Sequence, residues 1–386
     1  MKNLLDVELQ KIEKSLWKIS KEMYENPELG DQEFESMNLL VTLLKEHEFQ
    51  TEIGIVGRPT AFKSVFNSGK PGPTIAYLAE YDALPGIGHG CGHNLIGTMS
   101  VGAGIILSKI INKIGGSIVV LGTPAEETNG AKVPMSKKGI FDDIDVAMIV
   151  HPSDQSYISG DSLAMDAIQF AYTGKSSHAS ASPEEGINAL DGVIQLFNGI
   201  NALREHLPSD VRIHGIISEG GKAANVVPDF AVGQFYIRAK QRAYLDKVVE
   251  KVISIAQGAA LMTGTTVEIS NYELSYDDMI TNQVLSDCFT NNLQQTSKLP
   301  INEAKQTYGS IDMGNVSHVV PAIHPYIGLN KPGLIAHTKE FAAQTTTEDG
   351  YETLKTGALA LAYTGYDVLT DKKLLESIQQ EFQRNK

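Results

Sequence analysis

Three short apolar stretches of this chain each end in residues able to bind a metal ion. After TIAYLAE (74–80) the chain runs YDALPGIGHGCGHNLIG (81–97), rich in glycine and carrying Cys91 and His93. After SIVVLG (117–122) comes TPAEE, which closes on the adjacent pair Glu126 and Glu127. After DVAMIV (145–150) come His151 and Pro152. Each piece alone is ordinary: a histidine at a strand end usually satisfies a hydrogen bond, and a buried cysteine usually behaves as a small apolar group. Together they deliver thiolate, imidazole and carboxylate, the donor types that zinc and its neighbours take. They arrive at the carboxyl ends of strands, the edge at which open α/β sheets bind ligands. Adjacent glutamates allow a division of labour. One ligates the metal while the other takes a proton from water whose pKa the metal lowers towards about 7.

The elements that must place these residues follow from apolar spacing. Residues 5–24, 33–48 and 95–113 have the period of amphipathic or buried helices, and the three apolar stretches read as buried strands between them. Strands alternating with helices predict a largely parallel sheet covered on both faces. From residue 167 the rhythm changes. A strand (167–174), a helix (186–206), two strands (212–218 and 230–239), a helix (243–262) and a strand (265–270) give the order β-α-β-β-α-β, the ferredoxin-like unit. Two helical stretches, 347–367 and 371–384, end the chain. The predicted fold class is therefore an α/β catalytic domain with a mixed, largely parallel sheet flanked by helices, residues 1–166 and 279–386. It is interrupted by an inserted ferredoxin-like α+β domain, residues 167–278.

The 386 residues carry a formal net charge of -14, which argues against nucleic acid or an anionic membrane as a partner. No apolar run reaches the roughly 20 residues needed to cross a bilayer. The opening MKNLLDVELQK lacks the uninterrupted apolar core of a secretory signal. Cys91 and Cys288 are too few for a disulfide framework, which points to a reducing compartment such as the cytoplasm.

The set YDALPG…HGCGHN, TPAEE, His151-Pro152, GKSSHAS (174–180), ANVVPD (224–229) and HTKEF (337–341) resembles the aminoacylase and glutamate-carboxypeptidase family of two-metal peptidases. The C-G-H arrangement and the stretch AEYDALPGIGHGCGHN look most like its cysteine-ligand branch, with aminobenzoyl-glutamate hydrolases, related dipeptidases and auxin-conjugate hydrolases. The motifs run in the family's order from Asn26-Pro27-Glu28 to His337, nearly the whole chain. The resemblance implies two divalent ions per subunit, zinc or manganese, held by Cys91, His93, Glu127, His151 and His337, with Cys91 bridging. It implies Glu126 as general base and Asp82 as the residue that orients a ligand. In the insert, a lid and dimerisation domain, His178 would polarise the scissile carbonyl. Asn225 and Arg238 would bind the substrate carboxylate, a task suited to an arginine fork. The implied substrates are small carboxylate-bearing amides such as dipeptides, N-acyl amino acids or aminobenzoyl-glutamate, and the implied assembly is a homodimer or homotetramer.

Two positions depart from the family pattern: Tyr24 stands where a histidine often precedes N-P-E, and Asn94 where aspartate often follows C-G-H. Neither removes a ligand. A silent binding protein on the same fold would lack the base or a ligand, and all are present; carbamoyl hydrolases generally lack C-G-H. Ser310 and Asp312, in GSIDMGNVS, are candidates for substrate or ligand contact, and His214 for the cleft. His318 and His324 read as structural.

Overall fold

The computed structural model describes residues 1–305 and 308–385, in two compact units. The first comprises Met1–Asp161, Met279–Thr307 and Asp312–Lys386; the second comprises Ser162–Asp278 and Tyr308–Ile311.

In the first unit a 6-stranded sheet runs in the order Gln50–Ile53, Phe62–Asn67, Ser117–Gly122, Thr74–Ala79, Val146–Met148, Ala322–Ile323. The last four pair in parallel, and the first two join antiparallel at one edge. The edge pair goes beyond the sequence-based expectation, because Gln50–Ile53 is polar and exposed and carries no apolar signature. Helix Lys2–Glu25 buries Leu5, Leu9, Ile12, Leu16, Ile19 and Met23, the three- and four-residue spacing of one helical face. That face packs on helix His93–Ile114, which also covers the two central strands. Helix Glu348–Thr370 packs beside both helices. Among the described residues His93–Ile114 is the only helix long and apolar enough to cross a membrane; it is buried in the interior of this unit.

A second, 4-stranded sheet is likewise absent from the sequence pattern: Ile301–Asn302, Ser156–Tyr157, Tyr326–Gly328 and His151–Ser153. Strands of two or three residues are too short for a period-2 pattern to emerge. This sheet matters to the site, because it pairs His151 with Tyr326 and so fixes where the His151 ring lies.

The second unit is an antiparallel sheet in the order Thr266–Asn271, Ala164–Thr173, Phe230–Ala239, Arg212–Glu219. Helices Ala189–Arg204 and Arg242–Thr263 bury Val193, Leu196, Val248 and Val252 against Ile168, Phe170, Phe235 and Ile237. The strand order is the ferredoxin-like one. The first strand starts at Ala164, three residues before the sequence-based boundary, because Ala164 and Met165 continue the ladder opposite Ala239 and Arg238. Residues 308–311 also join this unit, through the Leu163 N–H donating to Gly309 O at 2.9 Å.

Strand Ser117–Gly122 is held close to its antiparallel neighbour because Gly122 faces the Phe62 ring: a Cβ there would lie 2.2 Å from Phe62 Cδ1. Both residues are buried, so the ring has little room to withdraw. Gly122→Ala is therefore expected to lower stability by about 1–3 kcal/mol. The check is a denaturant midpoint that falls at unchanged m-value.

Candidate metal centre and active site

The loop after strand Thr74–Ala79 turns sharply into helix His93–Ile114 through Gly92, whose φ of +76° suits a residue without a side chain. A Cβ on Gly92 would meet Pro152 Cγ at 3.0 Å, so this glycine lets the His151-Pro152 strand lie against the Cys91–His93 turn. Two residues earlier, Gly90 O accepts the His337 N–H at 2.9 Å, which brings the distant segment 337–341 to the same place. Glu126 and Glu127 follow strand Ser117–Gly122 after a turn at Ala125. Ala125 and His337 each have a φ of +63°, a region that non-glycine residues occupy at a cost of about 1–2 kcal/mol. Strain of this kind concentrates at functional sites.

The candidate ligand atoms converge as two overlapping groups. Cys91, His93 and His151 have theirs within 4.8 Å of one another, and so do Cys91, Glu127 and His337. Cys91 is common to both, so its Sγ lies within reach of either group. His93, Glu126 and Glu127 form a third such group. The imidazoles are aimed by their second nitrogens. His93 Nδ1 donates to Asp82 Oδ1 and to Asp82 O, both at 3.0 Å, which leaves Nε2 free to ligate. His151 Nδ1 donates to Pro152 O at 2.6 Å, with the same consequence. Asp82 Oδ2 accepts the Glu127 N–H at 3.0 Å, so one carboxylate orients both a histidine and a glutamate. His337 Nε2 lies 3.7 Å from Glu127 Oε2.

The electrostatics suit a bound cation. His93 Nε2 and Glu127 Oε1 are buried and have no hydrogen-bond partner among the described residues, which suits them to ligate a cation. Burial, then Glu127, pushes the Cys91 thiol well above its ordinary range. Burial, then Glu80 and Glu127, pushes the half-buried Glu126 carboxyl well above the carboxylate range. Burial would lower His93, but Asp82 outweighs it and raises the imidazole well above its ordinary range. Burial, then His324 and His93, lowers His151 to about 3, which keeps it neutral and fit to ligate. The donor set of one thiolate, imidazoles and carboxylate fits zinc or manganese.

The second unit holds His178, Asn225 and Arg238. His178 and Val226 form an isolated bridge, and the Ala179 N–H donates to Asn225 O at 3.0 Å, so His178 and Asn225 are neighbours. His178 Nδ1 accepts from the N–H groups of Ala181 (3.2 Å) and Ser180 (3.3 Å), which places the ring proton on Nε2. Arg238 sits on the sheet instead, beside Tyr236 and His214. Its Nη1 donates to Tyr308 O at 2.9 Å, while its buried Nε has no partner among the described residues.

The family follows from sequence comparison over the same segments. Residues 76–360 match the profile of peptidase family M20/M25/M40. The chain belongs to that family. It is 37% identical to the Xaa-Arg dipeptidase of Mus musculus over 84% of this chain and 78% of that protein. It is 29% identical to a p-aminobenzoyl-glutamate hydrolase chain of Escherichia coli, over 95% of this chain and 91% of that one. Among solved structures it resembles an aminobenzoyl-glutamate utilization protein of Klebsiella pneumoniae (TM-score 0.76, 20% identity, 94% and 98% covered). It also resembles a dinuclear metal-binding M20 peptidase of Bacillus subtilis (TM-score 0.69, 18% identity, 92% and 99% covered). This M20 peptidase is thus a metal-dependent hydrolase of amide bonds in small substrates.

Several residues of the M20 site carry no signal in the sequence. Lys132 is fully buried and bridges Glu80 Oε1 (2.7 Å) and Asp312 Oδ1 (2.6 Å). Asp312, a candidate for substrate contact, is therefore occupied by an ion pair, as its burial requires. Burial raises Glu80, but Lys132 and then His93 outweigh it and hold the carboxyl at about 2. His324, structural by its sequence context, has its ring 5.5 Å from that of His151 and 5.2 Å from Tyr326, in the wall behind the ligands. Asn94 points away from the site, donating to Ser20 Oγ at 3.0 Å and Thr345 Oγ1 at 3.2 Å. No local pattern announces a lysine shortly after the glutamate pair as buried.

Two expectations follow from these bonds. Asp82→Asn keeps the shape but weakens the hold on His93 and Glu127, so metal affinity should fall about 10–100-fold in a chelator competition. The Cys91 thiol and the His93 imidazole are both raised above their ordinary ranges, so metal binding must compete with protons at these two groups. Affinity should accordingly rise with pH and weaken towards weakly acid pH. Calorimetry in buffers of different ionisation enthalpy should show proton release; a buffer-independent heat would contradict it.

Proposed function

We propose that this M20 peptidase is a dipeptidase of the cysteine-ligand kind, with two divalent ions in the Cys91 cluster, zinc or manganese, and Glu126 as general base. The observation that carries the reading is the pair of ligand groups that share Cys91, with Glu126 beside the Glu127 that belongs to one of them. The ions would supply Lewis-acid activation of the carbonyl and of the attacking water. Glu126 takes the proton from the water and passes it to the departing amine. A glutamate carboxylate can perform both tasks in turn, accepting the proton as base and returning it as acid. Cys91, His93, Glu127, His151 and His337 are the proposed ligands, and Asp82 orients two of them.

Substrate recognition is assigned to the inserted domain, residues 167–278. His178, with its proton on Nε2, donates to the scissile carbonyl. Asn225 and Arg238 take the substrate's free carboxylate, and the unused Nε of Arg238 supports that role. The relatives named above act on Xaa-Arg dipeptides or aminobenzoyl-glutamate, and dipeptides are the proposed class. The reading includes a homodimer or homotetramer. Strand Arg212–Glu219 supports it, a free sheet edge with Ile216 61% exposed; sedimentation at equilibrium decides. A reducing, cytoplasmic setting fits a site that depends on a free Cys91 thiol.

The test is hydrolysis of dipeptides ending in Arg, Lys, Glu or Leu, of N-acyl amino acids and of aminobenzoyl-glutamate, with the protein stripped of metal and then resupplied with zinc or manganese. Activity should return only with metal and be greatest on a dipeptide. Glu126→Gln should lose about 10²–10⁴-fold in kcat while it keeps its metal. Cleavage that survives chelation, or an active Glu126→Gln, would sink the mechanism. Cleavage of N-acyl amino acids alone would sink the substrate class.

A further inference from the structure

Segment 26–33, NPELGDQE, contributes no metal ligand, yet it grips the catalytic loop from several sides. Glu28 O accepts the Ala83 N–H at 2.8 Å, beside Asp82. The Glu28 carboxylate turns the other way, accepting the N–H groups of Glu35 (3.0 Å) and Ser36 (2.7 Å) and so capping helix Phe34–Glu46. Gly30 passes so close to the loop that a Cβ would lie 2.8 Å from Thr128 Oγ1 and 2.9 Å from Ala125 Cβ. Asp31 pairs with Arg58, which also donates to Asn129 O. The innermost contact is made by Glu33. Its carboxyl group is completely buried; Oε1 accepts the Ala125 N–H at 2.9 Å and Oε2 accepts from Thr60 Oγ1 at 2.9 Å.

Ala125 is the residue with left-handed backbone immediately before Glu126, and it is itself buried. An alanine keeps that conformation only where surrounding contacts impose it. Among the described residues its N–H donates to Glu33 Oε1 alone. Glu127 has a separate anchor, the Asp82 carboxylate. The two adjacent glutamates are thus held by different carboxylates, one acting on the residue before Glu126 and one on Glu127 directly.

We propose that Glu33 is a positioning residue for the general base: it holds the Ala125 N–H, fixes the left-handed turn, and thereby aims Glu126. The proposal rests on Glu126 acting as base. Burial, then Asp82, pushes the Glu33 carboxyl up to about 7. Protonated or not, it retains an oxygen lone pair for Ala125, so the task requires an acceptor and not a charge.

The experiment compares Glu33→Met, which keeps the bulk but offers no comparable acceptor, with Glu33→Gln, which keeps the acceptor; Glu33→Asp replaces the Met variant if that one does not fold. Full-length, metal-loaded protein is measured for amide hydrogen exchange at Ala125, metal content, melting temperature and dipeptide kinetics. The expected result for Glu33→Met is faster exchange at Ala125 and a kcat about 10–100-fold lower, with KM and metal content unchanged. Glu33→Gln should restore exchange and kcat to near wild type. The proposal is overturned if Ala125 exchange does not change, if metal is lost together with kcat, or if Glu33→Gln behaves like Glu33→Met. Should the wild type cleave no substrate in the panel, the functional reading fails, and the exchange comparison alone then decides whether Glu33 holds the turn.

Discussion

The site depends on one buried carboxylate. Asp82 reaches His93 Nδ1 with one oxygen and the Glu127 N–H with the other, each at 3.0 Å. Those two bonds tie a candidate ligand on one strand loop to a candidate ligand on the next. They also decide which nitrogen of His93 faces the cluster. A metal site needs this kind of support, since a ring free to rotate would hold its ion weakly. The requirement explains why an aspartate is buried beside two further acids, an arrangement that would otherwise destabilise the fold. His93 answers Asp82 directly: the pair holds the Asp82 carboxyl below its usual range even though burial opposes this.

The surrounding charge follows the same logic on a larger scale. Glu80, Asp82, Glu126, Glu127 and Asp312 lie around a single neighbourhood, and Lys132 is the lysine buried with them. One ammonium and one imidazolium do not balance that many acids. The result is visible in Glu126, whose carboxyl is forced well above its usual range by burial and then by Glu80 and Glu127. Divalent cations would relieve this repulsion. The folded chain is therefore pre-set for metal, and the fully buried Lys132 neutralises the part of the acid cluster that no ligand group includes.

What the sequence revealed and what it concealed differ in kind. Ligand types at the ends of Thr74–Ala79 and Ser117–Gly122, and at His151, were legible because strand periodicity and donor chemistry are local properties. The inserted βαββαβ order was legible for the same reason, to within three residues at Ala164. Lys132, His324 and Glu33 were not. Each is a common residue whose importance comes from burial against partners distant in sequence: Lys132 with Asp312, His324 with His151, Glu33 with Ala125. The sheet of short strands was invisible too, although it carries His151. Asp312, a candidate for substrate or ligand contact by sequence, has its side chain sealed in an ion pair with Lys132, a partner distant in sequence.

Two of the residues with left-handed backbone show how such a fold can aim side chains without rigid scaffolding at every position. Ala125 and His337 both occupy left-handed backbone, and each is fixed by a hydrogen bond from its own N–H, to Glu33 in one case and to Gly90 O in the other. A left-handed residue reverses the direction of the chain abruptly, so the next side chain, or its own, emerges at an angle that a regular strand or helix would not provide. Glycine at either place would relax the strain but enlarge the set of accessible directions. An L-residue clamped by a single strong bond is more restrictive. In this M20 peptidase the clamps are a buried carboxyl and a carbonyl beside Cys91, so the groups that fix Ala125, before Glu126, and the exposed His337 belong to the same interior that holds Cys91 and His93.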